Sequence, residues 1–146
     1  MKIYTLGFTK KSAGTFFGLI KDNNVRTIVD VRVNNASQLA GFAKKDDLKF
    51  FLQEICSTGY VHLPDLAPTK EMLSAYRKGA IGWEKYEEQF LSLLARRNVE
   101  RSISNALFEG ACLLCSEHEP HYCHRRLVVE YLNNNKGLNL EVKHLY

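Results

Sequence analysis

The sequence predicts an α/β fold, a single three-layer domain with a largely parallel sheet of about five strands and helices on both faces. Three observations predict it. Short segments rich in β-branched and apolar residues alternate with longer segments of helical period, as βαβ units require. The strand-like segments are nearly continuous apolar runs, which suits strands covered on both sides. The 146 residues suit one compact core, so residues 1–146 are read as one domain.

Taken in order, Lys2 to Leu6 (KIYTL) reads as the first strand, and the turn from Gly7 to Ser12 leads into a helix with Phe16, Leu19 and Ile20 on one face. Asn23 and Asn24 end that helix. Arg26 to Val33 (RTIVDVRV) is the clearest strand, with Asp30 and Arg32 on a shared face. A helix from Asp46 to Ser57 follows from Leu48, Phe51, Leu52 and Ile55 at i, i+3, i+4, i+7 spacing, stopped by Thr58 and Gly59. Tyr60 to Leu63 makes a short strand ended by Pro64, which cannot donate into a ladder. The stretch beyond is mostly helical. Trp83, Tyr86, Phe90, Leu93 and Leu94 form an apolar stripe on a helix from about Gly82 to Arg97, and Ile103 with Leu107 suggests another short one. Ala111 to Cys115 (ACLLC) reads as a buried strand, followed by a loop to Tyr122, a helix from Cys123 to Asn133 and a last strand from Asn139 to Lys143.

Composition narrows the class. With 45% hydrophobic and 25% charged residues and three prolines, the chain is of ordinary globular type. No run approaches the roughly 18 apolar residues that span a bilayer, and Met1 leads straight into a strand-like segment. The expected location is therefore the cytoplasm, with no membrane partner. In that setting Cys56, Cys112, Cys115 and Cys123 are expected as thiols, buried apolar residues or metal ligands rather than a disulfide framework. The net charge is +4; residues 1–60 hold nine Lys/Arg against five Asp/Glu, and the remainder is balanced. Such a surplus can attract phosphate-bearing partners and equally suits a solvated surface.

In open parallel sheets ligands bind outside the carboxyl ends of the strands. That rule gathers Gly7 to Thr9, Asp30 and Arg32, the turn from Leu63 to Asp65 with His62 beside it, and the segment Cys115 to Arg125 (CSEHEPHYCHR). Two Cys, three His, two Glu and one Arg within eleven residues exceed what a structural loop requires. Cys123, His124 and Arg125 fall at a predicted helix N-terminus, where free backbone amides and the helix dipole favour an anion, and Arg32 and Arg125 could add bidentate donors. Against this stands a structural ion pair of Arg125 with Glu117 or Asp30, weighted equally. Cys115 or Cys123 could act as a nucleophile, with Glu117 or His124 carrying protons, or both could be small buried apolar residues.

Spacing demotes a phosphatase-like loop, which needs an arginine six residues after the cysteine; His118, His121 and Val129 stand at those places. Zinc is a weaker alternative. Cys112 and Cys115, three apart on one strand, point to opposite faces, leaving Cys115, Cys123 and a histidine such as His124 as ligands. No other cofactor is indicated. His62 and His144 read more readily as structural histidines, and Tyr4, Tyr60 and Tyr76 as packing residues rather than base-stacking ones. No P-loop, dinucleotide glycine fingerprint or helical HExxH pattern is present.

Leu113, Leu114, Cys115, Ser116 and Glu117, then Pro120, then Cys123, His124 and Arg125 resemble the LLCxE...P..CHR pattern of the DUF488 family, mostly bacterial and archaeal proteins. Asp30, Val31, Arg32 and Ser37 resemble its DVRxxPxS element; Tyr60, His62, Leu63 and Pro64 resemble YxHLPxLG; His144 and Leu145 fit near the end. The resemblance spans nearly the whole chain and implies the α/β fold and the Cys115 to Arg125 site, but no reaction. Three departures stand out. The family's TIGHS reads Thr5, Leu6, Gly7, Phe8, Thr9; its loop proline is Asn35; its glycine after HLPxL is Ala67. Phe8 in place of histidine removes a polar group from the rim, which would alter the substrate or the activity if that histidine acts in relatives.

The leading expectation is an enzyme that binds a phosphate- or carboxylate-bearing substrate, nucleotides and nucleic acids among the candidates, at the strand ends. Arg32 and Arg125 would hold the anion, with Gly7, Thr9, Asp30 and His62 around it. Glu117 would carry protons, and Cys115 or Cys123 would attack or shape the pocket. The alternative is a noncatalytic nucleic-acid or nucleotide-binding module using Lys10, Lys11, Lys44, Lys45 and Lys49. A structural zinc domain ranks third.

Overall fold

The computed structural model describes residues 1–33, 41–115 and 123–146. Five parallel strands form one sheet: β1 (Lys2–Gly7), β2 (Thr27–Asp30), β3 (Gly59–His62), β4 (Ala111–Cys115) and β5 (Glu141–Leu145), in the order β3-β2-β4-β1-β5. The helices are α1 (Ala13–Asp22), α2 (Lys45–Phe51), α3 (Lys70–Arg77), α4 (Trp83–Arg96), α5 (Val99–Ser102) and α6 (His124–Lys136). The expected α/β class, near-parallel sheet and strand number are those observed.

Because successive strand residues face opposite ways, the sheet separates two apolar layers. Tyr4, Leu6, Ile28, Cys112 and Leu114 pack against Phe16, Phe17 and Ile20 of α1 and Leu48 of α2. Ile3, Val29, Leu113 and Cys115 pack on the other side against Tyr86, Phe90 and Leu94 of α4 and Leu127, Val128 and Leu132 of α6. Cys112 and Cys115 thus lie in different layers. Every residue of β4 is buried, as its unbroken apolar run requires.

Element boundaries differ from the sequence reading where side chains capture backbone groups. The second strand ends at Asp30 rather than Val33, since Asp30 Oδ1 accepts a hydrogen bond from the backbone amide of Arg32 at 3.1 Å and turns the chain out of the sheet. The helix expected at 46–57 is α-helical only to Phe51 and continues as a π-turn over Leu52–Cys56. The wider turn rotates Ile55 off the apolar stripe, and it is 45% exposed. Between α4 and β4, Ile103 is extended, and it separates α5 from a 3-10 turn over Asn105–Leu107. The last strand begins at Glu141 because the Asn133 side chain holds Leu140 through both its amide, at 2.7 Å, and its carbonyl, at 3.2 Å. α6 runs to Lys136, three residues past the expected end, and Gly137 closes it at φ 64. Among the described residues no helix is long and apolar enough to cross a membrane.

Candidate active site

β4 leaves the sheet toward α6 on one face, whereas its neighbours β1 and β2 lead to α1 and α2 on the other. Such a divergence opens a crevice at the carboxyl ends of the strands. Cys115 is the last residue of β4, with Gly7 of β1 as its register partner, and the Phe8 amide donates to the Cys115 carbonyl. Cys123 is the N-cap of α6, in extended backbone, so its sulfur sits at the helix start, where the Arg125 backbone amide donates to it.

Three side chains converge there. The Sγ atoms of Cys115 and Cys123 are 2.8 Å apart and share a hydrogen bond. Arg125 Nη1 donates to Cys115 Sγ at 2.8 Å and reaches Cys123 Sγ at 3.9 Å. Arg125 is the largest fully buried side chain described. Burial opposes its charge, but the sulfurs of Cys115 and Cys123 outweigh that and raise its pKa. Burial, followed by the hydrogen bond to Cys115, pushes the Cys123 thiol well above its usual range. Cys123 therefore keeps its proton and donates it, so Cys115 receives two donors, one cationic, which is the setting that favours a thiolate. Burial also raises Cys112, which lies in the other layer.

His124 follows from the same helix start. Its Nε2 donates to the Val31 carbonyl at 2.7 Å, leaving Nδ1 toward Cys123 Sγ at 3.9 Å. Burial brings its pKa down to about 4, so the ring is neutral at pH 7. Lys11, in the turn after β1, is lowered by burial and next by the Arg125 charge, which places a second cation near the sulfurs. The sequence alone places Lys11 only on a basic surface; the fold of the turn over residues 7–12, which no local pattern reveals, brings it here.

A second cluster occupies the opposite layer at the same sheet edge. Arg32 binds Asp30 through both carboxylate oxygens, Nε to Oδ1 at 2.8 Å and Nη2 to Oδ2 at 2.7 Å. Its Nη1 donates to the Ala43 carbonyl at 2.7 Å, and the guanidinium lies 5.6 Å from the Phe8 ring centroid. Tyr60 donates its hydroxyl to Asp30 Oδ2, and His62 Nε2 donates to the Arg32 carbonyl at 3.0 Å. Arg32, 3% exposed, has every guanidinium nitrogen bonded within the protein. Phe8, where the family pattern has histidine, is buried against this guanidinium. Ala67 has ordinary extended backbone (φ −98), which explains why glycine is dispensable there.

The expected residues thus divide. Gly7, Cys115, Cys123, His124 and Arg125 come together; Asp30, Arg32 and His62 form the neighbouring polar cluster; Thr9 is exposed in the turn after β1. Glu117, with Asn35, Ser37, Ser116, His118, Pro120, His121 and Tyr122, lies outside the described residues. Among the described residues no three His, Cys, Asp or Glu side chains are arranged to hold a metal ion. His144, lowered by burial and next by Arg125, shares a hydrogen bond with Thr5 Oγ1 at 2.5 Å, linking β5 to β1 on the α6 side. The sequence offered no signal for the partners Tyr60, Ala43 and Val31, since each contact joins residues far apart in the chain.

Comparison with known families matches residues 12–132 to the model described as "Domain of unknown function DUF488", and the chain belongs to that family. The match takes in the Cys115 to Arg125 segment; the Thr5 to Thr9 and His144 to Leu145 elements lie outside the matched residues. No curated protein and no solved structure matches the chain.

Proposed function

We propose that this DUF488 protein is an enzyme acting on an anionic substrate at the carboxyl edge of its sheet, with Cys115 as the nucleophile. The observation that carries the reading is the Arg125 Nη1 donor 2.8 Å from Cys115 Sγ, in a guanidinium with no exposed surface. A buried cation against a sulfur favours the thiolate, and the thiolate is the attacking form. Cys123 donates to that sulfur and is the nearest described proton source. Glu117, two residues beyond Cys115 in sequence, is assigned the carrying of protons to and from solvent. Lys11 and Arg125 supply the field that selects a phosphate- or carboxylate-bearing substrate, a nucleotide or nucleic acid among the candidates. Arg32 is left out of substrate binding because its guanidinium is buried and each of its nitrogens is already bonded within the protein.

Competitive alkylation tests both parts. Iodoacetate, which is anionic, and iodoacetamide, which is neutral, are compared on the native chain at pH 7 and their sites mapped by mass spectrometry. The reading expects Cys115 to react first of the four cysteines. It also expects iodoacetate to be favoured over iodoacetamide relative to a free thiol, with that preference lost in Lys11→Gln and at high salt. A Cys115 that reacts only after denaturation, or shows no preference for the anion, overturns it. Labelled short DNA and RNA added as competitors then separate a nucleic-acid substrate, which protects Cys115, from a binding surface on the exposed Lys44, Lys45 and Lys49, which does not.

A further inference from the structure

We propose that Cys115 and Cys123 are a two-electron redox couple, oxidised by a compact hydroperoxide to a disulfide that switches the site off. This rests on the reading of Cys115 as a thiolate and extends it to the regulation of the same site. The geometry supplies the pair. The sulfurs stand 2.8 Å apart, and a disulfide bond of about 2.05 Å needs only a small side-chain rotation to close. One sulfur sits at the end of a buried strand and the other at the start of a 13-residue helix, so both are presented by regular elements. The remaining cysteines are set apart. Cys112 faces the other layer, and Cys56 turns its thiol toward the Phe17 carbonyl on α1.

The two sulfurs are also unlike, as such a couple requires. Cys115 lies against the Arg125 guanidinium and attacks as thiolate; Cys123, protonated beside it, resolves the product. In the first step the Cys115 sulfur bonds to one peroxide oxygen and the O–O bond breaks. With hydrogen peroxide the departing hydroxide takes a proton from solvent and leaves as water, and the sulfur, having lost two electrons, becomes a sulfenic acid. In the second, the Cys123 sulfur bonds to the Cys115 sulfur, the S–O bond breaks, and the hydroxyl leaves as a second water with the Cys123 proton. With both residues almost wholly buried, at 1% and 2% exposure, the oxidant with least to fit beside the sulfurs is hydrogen peroxide itself. Once the disulfide has formed, no thiolate remains to attack substrate, and a dithiol reductant restores it.

The test treats the reduced chain with stoichiometric hydrogen peroxide, counts thiols after denaturation and maps linked peptides. Two fewer thiols, a Cys115–Cys123 linkage and full recovery with dithiothreitol are expected. Cys123→Ser should instead hold Cys115 as a sulfenic acid that a dione reagent traps, and Cys112→Ala should behave as wild type. Cys115 driven to sulfinic acid in the wild type, or a linkage to Cys56 or Cys112, overturns the couple. Alkylation of the same preparation separates the two claims: a Cys115 reactive toward iodoacetate that forms no disulfide leaves the nucleophile standing and removes only the couple. A Cys115 inert to both reagents removes both.

Discussion

His124 turns its Nε2 onto the Val31 carbonyl at 2.7 Å, tying the first turn of α6 to the chain just beyond β2, 93 residues away. The ring is held neutral because burial brings its pKa to about 4 against 6.5. In the unfolded chain it protonates near 6.5, so between about pH 6.5 and pH 4 the unfolded state binds more protons and stability falls with falling pH. Below about pH 4 both states are protonated and this loss stops growing. The shift corresponds to about 3 kcal/mol. Denaturant melts from pH 7.5 to 4 should show that decline in the wild type and a shallower one in His124→Gln, with the remaining slope containing the lowered His144.

The thiol of Cys115 depends on its guanidinium neighbour. Arg125→Gln removes the cation that favours the thiolate and should slow its alkylation at pH 7 by about ten-fold. Arg125→Lys should recover part of that rate, since a lysine keeps the charge and loses the planar fork. Rates measured across pH 5 to 10 check this directly; a pH profile unmoved by either substitution removes Arg125 from the activation of Cys115.

Asp30 and Arg32 form a buried pair, so breaking it on one side should be costly. Asp30→Asn leaves an uncompensated guanidinium and should destabilise by about 3–5 kcal/mol. Tyr60→Phe removes one hydrogen bond to the carboxylate and should cost about 2 kcal/mol. Equilibrium urea denaturation of the three proteins measures both values. Neither variant should change the preference of Cys115 for iodoacetate over iodoacetamide, because the pair lies in the other layer.

Two glycines give opposite expectations for the same substitution. Gly110 has φ +70, and a Cβ there would lie 3.3 Å from Arg26 Cβ, while its amide and carbonyl bridge Lys2 to Arg26 at the start of β1 and β2. Gly110→Ala should destabilise by about 1–2 kcal/mol. Gly18, inside α1, has open space at its Cβ, and Gly18→Ala should stabilise by about 0.5–1 kcal/mol. Thermal melts of both variants decide the signs.

Much of the fold could be read from apolar pattern alone. The run Ala111 to Cys115 gave both the extent of β4 and the separation of Cys112 from Cys115, because a two-residue period leaves no freedom once a strand is assigned. The rule for parallel sheets gathers Cys115, Cys123 and Arg125 at one edge without reference to any contact. It could not divide that edge into two layers, and so it set Arg32 beside Arg125 as an anion ligand. The division depends on Asp30 capturing Arg32 two residues on, and on the Ala43 carbonyl arriving from a different segment. The early ends of β2 and of the α-helical part of α2, and the late start of β5, have the same origin: a side-chain hydrogen bond or a π-turn overriding propensity at a boundary.

The strand order has a consequence for how the chain is made. β4 lies between β1 and β2, yet it is the fourth strand to be synthesised, after residue 110. Until it arrives, β1 and β2 have no common partner, and the apolar faces of Tyr4, Leu6, Ile28 and Val29 cannot close into layers. The nascent chain must therefore carry an incomplete sheet with unpaired edges through most of its elongation. The gap between them is filled in one late insertion, which delivers the central strand and its terminal cysteine together, before β5 pairs with β1 at the edge.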